Sequence, residues 1–475
     1  MGNLKSFADN YVFNRLVFKI LMVVAVMITA VPYLHTEFGK YVKLLLVYGI
    51  LIIGYEFVTG KLFKVLKQKV NWLLIGFCVS YGITLIINRD NAFVEGIKSF
   101  AYVIVFFVLF FMFTGEHSKE KVVKEMQIIS GVIVVCTFAL SLASIITYAF
   151  SISGHYANND GIFVYYGLYE NRLWGVYNPN TGSTLNCISM LLSIGFIWAI
   201  KKRWVIVLNA INIFLQFSCL ILTGSRAAYY IMLVLLIALT VFITFKKFNS
   251  INFRSICIAV VCVAVISVAF VGTGNLLKEG YSYVPSIVKT IIYEFENAHS
   301  DGTVDEEDKP TIDKQDFTRL EEVENREGGF FNGRAEMWVA CLKSFKESPL
   351  FGVGNENLIS NSLKYFEDDT WKEHFRTGGS HNIYVCLLTS AGIIGFLLVG
   401  IFSAITLIKS GLTFLKKYNK ASTWLFISIV MCVMFYVTEF VEARILFQVS
   451  TFSVIFWLFN GYMYRLAELE KGNIE

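Results

Sequence analysis

Residues 227–245 read AAYYIMLVLLIALTVFITF, a run without a single charge, with Arg226 directly before it and Lys246-Lys247 directly after. A helix crosses the hydrocarbon core of a bilayer with roughly 20 mostly apolar residues, and this run meets that need. The same pattern recurs along the 475-residue chain, at approximately 16–34, 41–58, 70–87, 98–113, 126–150, 183–200, 204–222, 255–271, 382–408, 422–440 and 445–464. Together these runs predict an all-α polytopic membrane protein of about twelve spans, helical because irregular backbone finds no partner in lipid. Composition agrees. The chain is 56% hydrophobic and 16% charged, against roughly a quarter charged in soluble domains, and disorder is excluded over most of its length. The first run lacks a small-x-small exit and is followed at once by His35-Thr36-Glu37, so it reads as a retained span rather than a cleaved signal.

Lys and Arg fix an expected orientation. With the N-terminus cytoplasmic, the cytoplasmic segments hold 22 Lys/Arg and the short outside loops hold 7, a positive-inside bias. Both termini then lie in the cytoplasm. Three regions follow: nine spans over 1–271, a large extracytoplasmic loop over 272–380, and three spans with a cytoplasmic tail over 381–475. The loop carries 12 Lys/Arg and 21 Asp/Glu; long loops escape the positive-inside rule. Within it, 281–296 and 333–347 have helical apolar spacing. The acidic stretch 300–328 has no apolar period and reads as a mobile insert. Of nine cysteines only Cys341 is outside a predicted span or its edge, so no disulfide framework is expected.

Four charges at the expected outer edge stand out. Arg172 lies in NRLWGVYNPN, Arg226 in LTGSRAAYY between two spans joined by a very short hairpin, Arg334 in FNGRAEMW, and His381 in GGSHNIY at the mouth of the tenth span. Each has a bland reading, the arginines as snorkelling anchors and the histidine as an interface residue. Arg226 resists it most, since small polar groups surround it and a cation beside lipid is costly. The guanidinium fork binds phosphate oxygens in pairs and stays charged, and histidine moves protons near neutral pH. Arginines with a histidine therefore suit sugar transfer from a lipid-diphosphate donor.

The strings NRLWGVYNPN, LTGSRAAYY, GRAEMW…SPLFGVG and SHNIYVCLLTSAGIIG, in that order over roughly residues 160–400, resemble the O-antigen ligase and polysaccharide polymerase superfamily. The resemblance implies a C-type glycosyltransferase-like fold and a metal-independent inverting transfer from a polyprenyl-diphosphate-linked oligosaccharide to a glycan acceptor. It implies diphosphate-binding roles for Arg172, Arg226 and Arg334, an acceptor-activating role for His381, and orienting roles for Asn180 and Asn382. No cofactor and no metal are expected. The acidic insert departs from the family pattern.

The expected function is polymerisation of lipid-linked repeat units into a capsule or exopolysaccharide, on the outer face of a bacterial cytoplasmic membrane. A flippase and a chain-length regulator are the protein partners that such a pathway implies; no nucleic acid is expected. The alternatives are a ligase handing finished glycan to a final acceptor, or a transporter of lipid-linked sugar. A transporter calls for charged or broken helices near mid-membrane, and the central parts of these runs are nearly free of charge. Acidic runs at Asp305–Asp308 and Glu367–Asp369 read as solvated surface. No Walker A string or HExxH occurs, and Gly352-Val353-Gly354 is a lone GxG after a proline.

Overall fold

Helices occupy the apolar runs. A computed structural model describes residues 12–90, 92–114, 117–157, 163–248, 252–299, 310–317, 334–366, 369–416 and 422–472. In chain order these form α1 (Arg15–Thr29), α2 (Pro32–Val58), α3 (Lys61–Val65), α4 (Asn71–Ile87), α5 (Phe93–Val105) and α6 (Lys119–Ala149). Three strands follow, β1 (Gly154–Ala157), β2 (Phe163–Tyr169) and β3 (Arg172–Gly175). Then come α7 (Pro179–Ala199), α8 (Arg203–Thr223), α9 (Arg226–Phe248), α10 (Phe253–Ser282) and α11 (Val284–His299). The chain continues through α12 (Arg334–Phe345), α13 (Leu358–Leu363), α14 (Asp369–Gly378), α15 (Ile383–Lys416), α16 (Thr423–Thr438) and α17 (Thr451–Gly472). Among the described residues, eight helices are long and apolar enough to cross a membrane, and α4 and α16 are shorter apolar helices.

Two units share the chain. The first comprises Met1–Ile28, Phe38–Val132 and Glu322–Glu475; the second comprises Thr29–Glu37 and Ile133–Glu321. In the first, the rings of Phe107 and Phe402 pack on the buried Trp457. α5 ends in a π-helical turn, Phe106–Phe111, whose wider winding leaves carbonyls without their usual partners. Arg15 supplies them, donating to the carbonyls of Val108 and Met112 while its Nε donates to Glu56 at 2.6 Å. Lys19, fully buried, donates to Glu125 at 2.7 Å. Buried charges persist only when paired in this way.

The second unit is held by a polar ladder between helices. Asn212 donates to Ser189 and Ser193, Gln216 donates to Asn212, and Ser141 donates to Gln216, all within 2.8–3.0 Å. Without a hydrophobic drive between apolar helices, such side-chain bonds and small residues hold them together.

Three features differ from the sequence expectation. First, the segment between α6 and α7 is an antiparallel sheet of order β1-β2-β3, so the fold is not purely α. FVYYGLY is rich in aromatic residues, which favour strands; the rings of Tyr165 and Tyr169 stack, and both meet Trp174 edge-on. Second, the acidic insert is docked in part. Residues 310–317 are ordered against α10 and α11: Gln315 N donates to Ser282 O at 2.9 Å and Ser286 donates to Asp313 O at 3.0 Å. Phe317 enters an apolar cluster with Tyr148, Leu173, Cys219 and Leu222. The remainder of that expectation, 300–309 and 318–328, and the runs at Asp305–Asp308 and Glu367-Asp368, lie outside the described residues.

Third, SPLFGVG docks into a break in α15. Gly392 has φ 67 and ψ −177 inside that helix. The backbone groups freed there bond to the loop: Val353 N donates to Thr389 O, Gly354 N to Ser390 O, and Ile393 N to Pro349 O, each at 2.9–3.0 Å. Broken helices are tolerated where protein re-satisfies their backbone. The two glycines permit the approach, since a Cβ on Gly392 would lie 2.2 Å from Leu350 O and one on Gly352 would lie 2.5 Å from Ser390 O. Gly392→Ala is therefore expected to cost several kcal/mol, roughly 1–3 from the left-handed backbone alone, and to remove most folded protein from the membrane. Gly400→Ala, on the same helix with nothing within 4 Å of its Cβ position, is expected to be neutral. Thermal unfolding of the two purified variants compares them.

Candidate active site

The second unit builds one set of predicted residues around the α8–α9 hairpin. Glu170 and Asn171 both take positive φ, 49 and 56, the two-residue turn that matches the twist of a hairpin. That turn delivers Arg172 as the first residue of β3. Gly224 closes α8 in the left-handed conformation, φ 62, so α9 begins two residues later at Arg226. Arg172 Nε donates to Thr223 O at 2.8 Å, and its Nη2 donates to Asn180 Oδ1 at 3.2 Å. Asn180 is placed in turn by Asn178, whose side chain accepts from Asn180 N and caps α7, with Pro179 opening the helix. Arg172 is thus a built-in part of this corner, tied to a helix-end carbonyl. Arg226 is exposed and lines a cleft of about 190 Å³ with Ser225, Tyr229 and Tyr230.

The first unit builds the other set around His381. Ser380 O accepts from Trp338 Nε1 at 2.9 Å, which ties α12, with Arg334 at its start, to the residue before the histidine. Asn382 is buried and caps α15, accepting from the backbone N–H groups of Tyr384 and Val385 at 2.9 and 3.1 Å. Its role is to start the helix that carries the histidine on its edge. His381 itself has φ 46, a conformation uncommon outside glycine and asparagine and frequent at functional sites. Its Nδ1 lies 3.6 Å from Glu442 Oε2. Arg444 Nε lies 3.9 Å from Glu442 and 3.8 Å from Glu439, and its guanidinium sits 4.0 Å over the ring of Phe452.

Burial works to raise the Glu442 carboxyl, but the contact with His381 and the charges of Arg444, His381 and Arg334 outweigh it and hold it below the usual carboxylate range. Glu442 thus lies on the Nδ1 side of the ring, and Nε2 is the nitrogen that does not face it. Gly378 makes room for the ring: a Cβ there would lie 2.3 Å from Nε2.

Glu442, Arg444 and Gly378 are the site residues that the sequence reading passes over. Glu442 and Arg444 leave a trace, because EFVEAR at 439–444 places three charges between two apolar runs, where charge is expensive. Gly378 leaves none.

Among the described residues no group of three or more His, Cys, Asp or Glu side chains is arranged to hold a metal. Arginines near a histidine–carboxylate pair suit binding of an oxyanion and transfer of a proton.

Residues 211–400 match the family model described as O-antigen ligase. This stretch belongs to the O-antigen ligase and polymerase superfamily. The O-antigen ligase region takes in Arg226, Arg334, His381 and Asn382, and it begins after Arg172 and Asn180 and ends before Glu442 and Arg444. Comparison with curated proteins gives no match. With its apolar helices, the chain is a multi-pass membrane protein whose O-antigen ligase region indicates ligase- or polymerase-type activity.

Proposed function

We propose that the protein polymerises polyprenyl-diphosphate-linked repeat units into a surface polysaccharide. It works on the outer face of a bacterial cytoplasmic membrane, spanning it about twelve times with both termini inside. The observation that carries the reading is the His381–Glu442 pair, with the carboxylate on the Nδ1 side of the ring. His381 Nε2 takes the proton of an acceptor hydroxyl. The freed oxygen attacks the anomeric carbon of the donor from the face opposite the diphosphate, the bond from that carbon to the diphosphate oxygen breaks, and configuration inverts. Arg172, Arg226 and Arg334 stabilise the departing polyprenyl diphosphate without a metal. A flippase and a chain-length regulator are its expected partners.

A ligase is the second reading, favoured by the description of the matching family. The lipid species that accumulates in cells lacking the gene separates the two. Polymerisation predicts single repeat units on the lipid carrier and loss of long polymer. Finished polymer still on the lipid carrier means ligation, and an unchanged lipid pool with normal polymer contradicts both.

Glu442 acts through His381, so Glu442→Gln is expected to lower kcat about a hundredfold with donor KM nearly unchanged. The same variant carries a stability signature. The folded Glu442 carboxyl is held below its unfolded value near 4.3, so its contribution is full above that pH and is lost as pH falls through the lowered value. The thermal-stability gap between wild type and Glu442→Gln, present at pH 7, is expected to close on acidification below about pH 4.

A further inference from the structure

Two clefts in the second unit share a wall. The first is the one beside Arg226, which continues from Tyr229 and Tyr230 across to Asn275 and Lys278 on α10 and is floored by Leu220 and Ile221. The second, about 290 Å³, lies on the other side of the same two residues, Asn275 and Lys278, and is closed by Glu279, Lys314, Gln315 and Asp316. The two differ in chemistry. One pairs cationic groups with aromatic and aliphatic side chains. The other is polar, with amide, carboxylate and ammonium groups presented together, the set that hydrogen-bonds vicinal hydroxyls.

The far wall of the polar cleft comes from the acidic insert. Phe317 anchors that strand of chain, its ring 5.8 Å from Tyr148. Gln315 N and Asp313 O bond to Ser282 and Ser286, and Lys314 pairs with Glu279 at 2.8 Å, which raises its ammonium pKa through that bond. These contacts place Gln315, half-buried, and Asp316, exposed, in one cleft lining with Lys278.

We infer that Lys278 and Asn275 bind the diphosphate of the lipid-linked donor together with Arg226, and that residues 314–316 form a subsite for the first sugar of its glycan. This rests on the proposed use of a polyprenyl-diphosphate donor, and it gives the docked part of the insert a task. The isoprenoid lies along the apolar floor by Leu220 and Ile221, the phosphates at the shared wall, and the sugar in the polar cleft. Lys278 is exposed, and as a point charge it complements the directional fork of Arg226.

The test measures binding of two probes to the full-length protein in lipid nanodiscs. One is polyprenyl diphosphate without sugar. The other is the lipid-linked oligosaccharide extracted from cells lacking this gene. Lys278→Ala is expected to weaken both by about tenfold or more, the loss of a charge-assisted contact, with Lys278→Arg restoring most of it. Gln315→Ala combined with Asp316→Ala is expected to weaken only the sugar-bearing probe, by about fivefold to tenfold. Wild-type binding with Lys278→Ala unchanged, or with the double variant binding both probes as wild type does, overturns the inference and leaves the diphosphate donor standing. Failure of the wild-type protein to bind either probe overturns the inference together with the donor assignment. Equal unfolding temperatures across the variants show that binding alone is being compared.

Discussion

His381→Ala is expected to abolish glycan extension while leaving donor binding largely intact. In the proposed mechanism the imidazole acts on the acceptor hydroxyl, so its removal takes away the proton acceptor without touching the phosphate contacts. General-base catalysis contributes about 10²–10⁴-fold, and the protein's own geometry argues for the upper part of that range. The histidine is held at φ 46, with Glu442 at Nδ1 and a glycine at Nε2. Two segments, 378–381 and the one that carries Glu442, therefore commit to its orientation. Lipid-linked repeat units are expected to accumulate in cells carrying the variant at matched membrane levels. Normal polymer from that protein removes the histidine from the mechanism.

Arg226→Ala is expected to weaken donor binding and slow transfer together, because a diphosphate contact serves both the bound donor and the transition state. Losing a charge-assisted contact to a desolvated phosphate costs roughly 2–5 kcal/mol, at the upper end more than a thousandfold in rate or affinity. Arg226→Lys is expected to rescue only in part, since an ammonium does not reproduce the bidentate fork. Arg172→Ala carries an added structural term. Its Nε holds Thr223 O and its Nη2 holds Asn180, so the substitution loosens the α8–α9 corner on which Arg226 stands. An interfacial anchor alone predicts a milder effect. Measured donor affinity and turnover in the three variants decide among these outcomes.

Much of the helical frame is legible because it follows from length and apolarity, which are local properties. Arg226 and His381 are legible for a related reason: a charge among small polar residues at the end of an apolar run is conspicuous. The partners of those charges are not. Glu442 meets His381 only because α15 starts against the end of α16, where Ile383 N donates to Glu439 O at 3.0 Å, and nothing in GGSHNIY announces that carboxylate. SPLFGVG shows the same limit. Its glycines read as a loop, whereas the reason for Gly352 is a backbone approach to Gly392, forty residues further along. The sheet over 154–175 is masked by its turn-forming end, although FVYYGLY carried the strand signal. In the acidic insert Phe317 enters the apolar cluster while Gln315, Asp313 and Lys314 bond to α10 and α11, and scattered apolar side chains in a charged stretch have no period to detect.

Metal-independent transfer of glycan with His381 as the base is the core of the proposed function. Its most direct measurement uses purified protein in lipid nanodiscs, in excess chelator, with lipid-linked repeat units as both donor and acceptor. The products read are polymer length and released polyprenyl diphosphate. The wild-type protein is expected to give a ladder of polymers, with one polyprenyl diphosphate released per linkage formed, and His381→Ala neither product. A ladder that appears only when a divalent cation is restored, or the same ladder from both proteins, would contradict it.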